Sequence, residues 1–538
     1  MAANDSIHDV TTPYEMRSRE RYVDTFNDFN EAEMQAICQV KRFIECYEGD
    51  RDFRAAVEAG GAFSDRQLAD MKAIGITFDP SEMEVFWLDP GFTMRLHHLT
   101  FQASSFEELP TEIHDTLAKY PALRIYKLWQ FRRAKMGLVQ KRMVLTTPTV
   151  SAPYTAWRAR RIDAVRNELG SYGWDIDHPC HAVEMAVGCS VGCDFCAFDA
   201  PKLATVFDYT VPENRALVRG VALGMVQQLG WPSAHGMLYW STEPADNPHY
   251  VELLQEWEDV TGGVLCTATA RAKEDWVKKL RDYYSRVPAP WPRISVLSRN
   301  IMRRLHRTFS PLELRDTTML MQQGDAEFMR SKVPGGREKM LLTLVKSDDL
   351  RDIDIDNPPE VLDIPQGSIA CVSGLLVNMV NKTMKLCSPC YTTLEYRYGY
   401  RVYDTISFDG PEDYGRALVE LINRSMVSSP YPEMPIRWRD DLKYLEREDG
   451  FTLLSPTTQR DFRRGAIHRA VGALVERGDM THNQVFEALA DDHEVGPMAA
   501  AAVLEVLFNK GYLCEMAITQ DYRARYLAAQ AVEAVPAD

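Results

Sequence analysis

The sequence lacks long hydrophobic runs and an excess of positive charge. No stretch approaches the roughly eighteen consecutive apolar residues of a membrane-spanning helix, and the polar N-terminus MAANDSIHDVTTPYEMRSRE has no apolar signal core. The formal net charge is −16, whereas a general nucleic-acid-binding protein carries a basic surface. We therefore expect a cytoplasmic protein that binds neither membranes nor nucleic acid.

Repeats, low-complexity tracts and the features of a disulfide framework are also missing. The eleven cysteines occur in a chain of 538 residues without a signal peptide, which disfavours a secreted disulfide scaffold and predicts reduced thiols. Hydrophobic residues make up 45% of the chain and charged residues 26%, as in folded globular proteins. The length predicts two or three domains.

Residues 1–165 are predicted to form a mainly helical region. Apolar side chains recur along one helical face at Met34, Ile37, Val40 and Ile44. Gly49 is expected to end this helix, and Ser64 with Gln67 has the spacing of a capping box for another helix.

A basic stretch interrupts the acidic chain. It comprises Arg132, Arg133, Lys135, Lys141, Arg142, Arg158, Arg160, Arg161 and Arg166. Two interpretations stay open: a solvated charged face, or a docking surface for an acidic peptide.

Residues 166–405 alternate short apolar strands with helices. The strand candidates are AVEMAV (182–187), GMLYW (236–240), VLCTATA (264–270), RISVL (293–297), LLTLV (341–345) and SIACV (368–372). Helical crossovers between parallel strands curl a sheet in one direction, so an α/β fold with a partial (β/α)6 barrel is predicted. In such barrels, catalytic residues gather at the carboxyl ends of the strands.

Residues 406–525 are predicted to form a winged-helix-like module. The segments DLKYLERE and FTLLS flank Asp449-Gly450, which is typical of a hairpin with a two-residue turn. Three helical segments follow, of which the second is capped by Thr481 with Gln484. The last residues, 526–538, are predicted to be a flexible tail.

Three cysteines directly follow the first strand candidate. Cys189, Cys193 and Cys196 have the spacing C-x3-C-x2-C, and thiolates select iron–sulfur clusters or zinc. Three cysteines so close together can hold three corners of a [4Fe–4S] cluster and leave the fourth iron open. Structural zinc, with Cys180 or His178 as a fourth ligand, is the alternative.

This segment resembles the cluster motif of the radical S-adenosylmethionine (SAM) superfamily, in which SAM chelates the open iron. Ser241-Thr242-Glu243-Pro244 resembles the superfamily's Gly-Glu-Pro-like motif, with Thr242 in place of glycine. The resemblance implies that Glu243 holds the SAM amino group. It implies further cofactor contacts by Ser298, Arg299, Thr267, Thr269 and Phe195. Thr267 and Thr269 are equally well explained as ordinary strand residues.

Wider stretches resemble the proteusin-type radical SAM amino-acid epimerases, which mature ribosomal peptides. They are KRFIECYEGDRDFRAAV, GCSVGCDFCAFDAP, STEPADNPHY and CVSGLLVNMVNKTMKLCSPC. The N-terminal helices resemble the leader sequences of the precursor peptides, and the C-terminal module resembles modules that recognise such leaders. The resemblance implies conversion of L- to D-residues in a precursor peptide, through its leader and core, with flavodoxin or ferredoxin as electron donor.

The resemblance also implies that a cysteine outside the cluster-binding triad acts as a hydrogen-atom donor. A 5′-deoxyadenosyl radical would remove a Cα hydrogen, and a cysteine thiol would return one from the opposite face. Cys390, in the predicted loop Ser388-Pro389-Cys390, is the favoured donor, followed by Cys371. Cys387 is a further candidate, and Cys266 is expected to be buried. The spacing of Cys387 and Cys390 leaves a second cluster or a zinc site open.

Two other functions stay open. The first is a radical SAM enzyme that makes a cross-link or another C–H modification in a peptide or small molecule. Few cysteines follow the triad, which disfavours the auxiliary-cluster domains of cross-linking enzymes, and no cobalamin-domain signature precedes it. The second is a zinc-containing peptide-binding protein without catalysis.

Overall fold

The computed structural model describes residues 28–193, 196–286, 291–323, 326, 336–337, 370–393, 395–427, 435–455, 457–493 and 495–515. The strand candidate at 341–345, the predicted tail and Phe195 lie outside these residues. None of the described helices is long and apolar enough to cross a membrane.

Helices dominate residues 28–175 and recur in the later described parts of the chain. They are α1 (Glu31–Gly49), α2 (Arg51–Glu58), α3 (Asp65–Ala73), α4 (Val85–Leu88), α5 (Phe92–Gln102), α6 (Thr111–Ala118), α7 (Pro121–Thr146), α8 (Ala152–Leu169), α9 (Ser171–Asp175), α10 (Pro212–Leu229), α11 (Tyr250–Thr261), α12 (Glu274–Tyr284), α13 (Arg299–Thr308), α14 (Pro411–Ser425), α15 (Ala466–Arg477), α16 (His482–His493) and α17 (Pro497–Asn509).

The strands are short and form several small sheets. They are β1 (His181–Glu184), β2 (Ala186–Val187), β3 (Thr205–Val206), β4 (Ala268–Thr269), β5 (Arg293–Val296), β6 (Thr318–Met321), β7 (Gly374–Asn378), β8 (Thr383–Pro389), β9 (Tyr400–Ser407), β10 (Lys443–Arg447), β11 (Gly450–Leu454) and β12 (Gln459–Phe462).

The chain divides into two compact units that alternate along the sequence. Unit 1 comprises residues 1–146 and 242–331, and unit 2 comprises residues 147–241 and 332–538. In unit 1, helices of the first stretch share one apolar core with the parallel sheet β4-β5-β6 of the second stretch. Trp129 of α7 stacks on Trp291, just before β5, with ring centroids 5.7 Å apart.

Unit 2 contains the mixed sheet β1-β7-β8-β9. Strand β1 pairs with β7 in parallel, β8 pairs with β7 antiparallel, and β9 pairs with β8 antiparallel. The predicted strand GMLYW contributes a single parallel bridge from Met237 to Ala182. Among the described strands, the parallel pairs are β1-β7, β4-β5 and β5-β6, and the partial (β/α)6 barrel stays a prediction.

The predicted loop Ser388-Pro389-Cys390 begins only at Cys390. Ser388 and Pro389 are the last residues of β8, where a proline is tolerated because a strand end needs no further ladder hydrogen bond. Cys371 was predicted to end the strand SIACV. The described residues of that segment, 370–372, form no strand, and Cys371 lies just before β7.

The C-terminal hairpin and three helices are confirmed, with the turn shifted by one residue. Strands β10 and β11 are joined by Glu448 and Asp449, and Gly450 is already paired with Arg447. A Cβ on Gly450 would lie 1.9 Å from the carbonyl oxygen of Phe462 on β12. The three strands and helices α15–α17 share one apolar core, and Thr481 and Gln484 cap α16 as predicted.

Part of the predicted basic surface is buried. Arg160 and Arg161 of α8 both donate to Oε1 of Glu515, at 2.7 and 2.5 Å. Arg158 donates to the carbonyl oxygen of His178 at 2.5 Å. These three guanidinium groups bind internal acceptors. Both interpretations, a docking surface and a solvated face, are therefore wrong for these arginines, which instead connect α8 to other parts of unit 2.

Candidate metal centre

The cysteine loop starts directly after β2 and folds back on itself. The N–H of Cys189 donates to the carbonyl oxygen of Pro201 at 2.9 Å, and the N–H of Leu203 donates to that of Cys189 at 3.2 Å. Gly188 has a φ of +84°, and a Cβ there would lie 2.3 Å from the carbonyl oxygen of Lys202. The loop therefore closes only with glycine at position 188.

All three predicted ligand cysteines are partly exposed, and none of the eleven cysteines, all of which are described, is in a disulfide. The N–H of Val191 lies 3.5 Å from the sulfur of Cys189, and that of Ala200 lies 3.4 Å from the sulfur of Cys196. Backbone N–H groups directed at cysteine sulfurs stabilise the thiolate and tune the reduction potential of an iron–sulfur cluster.

The chemistry of this donor set fits a [4Fe–4S] cluster. Three reduced thiols lie on one short, curved loop, together with N–H donors to two of the sulfurs. Among the described residues, no three His, Cys, Asp or Glu side chains converge as the ligands of one metal ion would. Cysteines on a cubane cluster bind separate iron atoms and are not expected to converge on one point.

An aromatic cluster follows the cysteine loop in unit 2. The ring of Phe198, two residues after Cys196, lies 4.7 Å from that of Trp240 and 6.3 Å from that of Tyr400, centroid to centroid. Burial raises the pKa of the Tyr400 hydroxyl above its usual value. The loop is thus bordered by a largely apolar wall with one phenol.

Glu184 ties together the carboxyl ends of β1 and β7. Its Oε1 accepts hydrogen bonds from the N–H and hydroxyl of Ser241, at 3.0 and 2.7 Å. Its Oε2 accepts from the amide of Asn378 at 3.2 Å. The single carboxylate within AVEMAV was the sequence signal for this position, and it was not recognised.

Glu243, the predicted SAM ligand, is buried in unit 1. Its carboxylate accepts from the N–H groups of Ala245 and Ala270, at 3.0 and 2.8 Å, and from the hydroxyl of Thr269. Burial raises its pKa despite these hydrogen bonds. Since a carboxylate has about four acceptor positions, one remains for an ammonium group.

The other predicted SAM contacts in unit 1 have internal partners. The hydroxyl of Ser298 caps α13 by accepting from the N–H of Ile301 at 3.3 Å. Arg299 forms ion pairs with Asp50 and Asp52, at 3.5 and 2.5 Å. The buried hydroxyl of Thr267 lies 3.0 Å from that of Tyr250 and 2.7 Å from that of Tyr284. Ser298 and Arg299 thus have structural roles that their sequence positions did not indicate, whereas a structural role for Thr267 was one of the two alternatives left open.

The later cysteines of unit 2 occupy different surroundings. Cys371 is partly exposed, and its sulfur lies 3.9 Å from that of Met237. The sulfur of Cys387 is buried, 3.9 Å from the carbonyl oxygen of Val372. Cys390 is fully buried beside Arg401 and Glu168, and burial raises its pKa well above the usual value.

Comparison with known proteins gives one relative of similar length. The chain is 29% identical to the uncharacterized protein y4wI of Sinorhizobium fredii over 503 residues, which cover 91% of this chain and 90% of that protein. No family model matches the chain, and no solved structure matches it.

Proposed function

We propose that this chain is a cytoplasmic radical SAM peptide epimerase, which converts L- into D-residues in a ribosomally made precursor peptide. The proposal rests on the cysteine loop: three reduced thiols at the spacing C-x3-C-x2-C, with backbone N–H groups directed at two of their sulfurs. When bound, the cluster and SAM supply the radical that removes a Cα hydrogen.

The chain's own residues would hold these cofactors. Cys189, Cys193 and Cys196 would hold three irons. Glu243, with one acceptor position left, would bind the SAM amino group. Thr269, which donates its hydroxyl to Glu243, would fix the orientation of that carboxylate.

Return of the hydrogen atom is assigned to Cys371 rather than to Cys390. A donor thiol has to reach the Cα of a bound peptide, and Cys371 is partly exposed whereas Cys390 is 0% exposed. Cys371 packs on the cluster of Val165, Leu169 and Ile176, and its sulfur lies 3.9 Å from that of Met237.

The test is incubation of the full, anaerobically reconstituted chain with SAM, a reductant and the precursor peptide encoded beside it, in D2O. Exchangeable thiol hydrogen becomes deuterium, so an epimerase is expected to place one deuterium at each inverted Cα, as measured by mass spectrometry and chiral amino-acid analysis. A product that has lost two hydrogens and gained a cross-link would contradict the proposal. Peptide incubated without SAM is the control.

A further inference from the structure

A two-residue segment lies against the cysteine loop of unit 2. The N–H of Arg337 donates to the carbonyl oxygen of Cys196 at 3.0 Å, and the N–H of Gly336 donates to that of Arg397 at 2.8 Å. Gly336 and Arg337 therefore join the cysteine loop to the chain just before β9.

The guanidinium group of Arg337 contacts three further positions of the loop. Nη1 donates to the carbonyl oxygen of Cys193 at 2.8 Å and Nη2 to that of Ala200 at 3.0 Å. Nε donates to Oδ1 of Asp199 at 3.1 Å. The planar, five-donor geometry of arginine allows these contacts at once, and a lysine ammonium group does not reproduce them.

Both ends of this contact use unusual backbone conformations. Asp199 has a φ of +46°, a conformation that disfavours residues with a Cβ by roughly 1–2 kcal/mol. Gly336 has a φ of +49°, and a Cβ there would lie 2.4 Å from the carbonyl oxygen of Ala197. A strained loop residue persists only where its surroundings hold it, and Arg337 is the side chain that holds Asp199.

We propose that Arg337 is a positioning residue of the cysteine loop, which fixes the loop's curvature and raises the reduction potential of the cluster through its charge. This inference rests on the proposed function, because it requires the cluster. The sequence signal for it was weak, since Gly336-Arg337 lies 140 residues from Cys196 and belongs to no predicted element.

The direction of the effect follows from electrostatics. Reduction adds a negative charge to the cluster, which a nearby cation stabilises and a nearby carboxylate disfavours. Asp199 offsets the charge of Arg337. Removal of the Arg337 guanidinium alone would leave the negative charge of Asp199 without a counter-charge and so lower the reduction potential. Removal of both charges would leave the net charge beside the cluster unchanged.

The experiment is a redox titration of the reconstituted full chain, followed by electron paramagnetic resonance, on R337Q, D199N, the double variant and R337K. At the wild-type midpoint potential, the ratio of reduced to oxidised cluster is expected to fall on the order of tenfold in R337Q and to rise in D199N. The double variant is expected to return close to wild type. R337K keeps the charge, so its potential should stay near wild type while it loses iron faster to a chelator.

Arg416 of α14 provides the matched control. It is exposed and paired with Asp413 at 3.0 Å, so R416Q removes an arginine from another ion pair and should leave potential and iron retention unchanged. Wild-type potentials in R337Q and D199N, with full iron content, would overturn the inference and leave the proposed function intact. A wild-type chain that takes up no cluster would overturn both. If R337Q fails to fold, D199N and R337K still decide the question.

Discussion

The sulfur of Cys371 lies 3.9 Å from the sulfur of Met237, the residue that bridges to β1. Met237 is fixed on both sides, since its N–H donates to the carbonyl oxygen of His181 and its carbonyl oxygen accepts from the N–H of Val183. The Cys371 thiol therefore contacts Met237, whose backbone is held by two hydrogen bonds. Cys371 itself lies in a segment just before β7 that belongs to no strand.

Replacement of Cys371 by alanine is expected to separate radical formation from inversion. C371A should still cleave SAM, because the cysteine loop is untouched, but should give no D-residue, because no thiol returns hydrogen. Both products can be followed in one assay by liquid chromatography and chiral analysis. C390A is the control: it should keep inversion and lose about 1 kcal/mol of unfolding free energy. Inversion by C371A would refute the assignment of the donor.

The cysteine loop is expected to bind about four iron atoms per chain. Alanine at Cys189, Cys193 or Cys196 should abolish the brown absorbance and most of the iron after anaerobic reconstitution, since each thiol holds a separate iron. C38A, which removes a buried cysteine on α1, should retain both. Full iron content in any of the three loop variants would show that this loop is not the binding site.

A buried carboxylate in unit 1 is expected to make stability fall in acid. Burial opposes ionisation of Glu45, but Lys41, 2.6 Å away, and His306, 3.0 Å away, outweigh it and lower its pKa from 4.5 to about 2. A lowered carboxylate pKa stabilises the fold above pH 4.5, and that stability disappears as the pH falls towards 2. The loss from this group should be about 3 kcal/mol.

Urea unfolding at a series of pH values tests this slope. E45Q should be less stable than wild type at neutral pH and should show a flatter dependence on pH between 4.5 and 2. E31Q, an exposed substitution on the same helix, should keep the wild-type slope. A wild-type slope in E45Q would mean that other groups cause the acid sensitivity.

Two glycines of unit 2 are expected to respond to alanine in opposite directions. A Cβ on Gly374 would lie 1.9 Å from the carbonyl oxygen of Cys180 and 2.1 Å from the hydroxyl of Tyr154, so G374A should cost about 3 kcal/mol or prevent folding. Gly415, inside α14, has no atom within 4 Å of such a Cβ. G415A should therefore stabilise the chain by about 0.5–1 kcal/mol, as measured by thermal unfolding.

Local features of the fold were predictable because their causes are a few residues apart. The helix ending at Gly49 and the capping box of Ser64 with Gln67 are confirmed. The C-terminal hairpin is also confirmed, although its turn is displaced because Gly450 is needed for the close approach to β12.

Long-range partners were not predictable from periodicity or spacing. Arg160 binds Glu515, 355 residues away, and the sequence around Arg160 resembles that of any exposed basic helix. The end of β8 was missed because Ser388-Pro389-Cys390 is typical of a loop as long as its antiparallel neighbour β9 is unknown. For the candidate site, the spacing of Cys189, Cys193 and Cys196 was visible, whereas the contacts of Arg337 depend on the folded loop.

The alternation of the two units has a consequence for synthesis on the ribosome. Helices α1–α7 emerge first, but the strands that complete their core belong to residues 242–331, beyond the first stretch of unit 2. At the usual rate of elongation, Trp291 is synthesised on the order of ten seconds after Trp129, on which it stacks. During that interval the nascent chain exposes an apolar helical surface. A chaperone that binds such surfaces would therefore be expected to determine the yield of this protein in a foreign host.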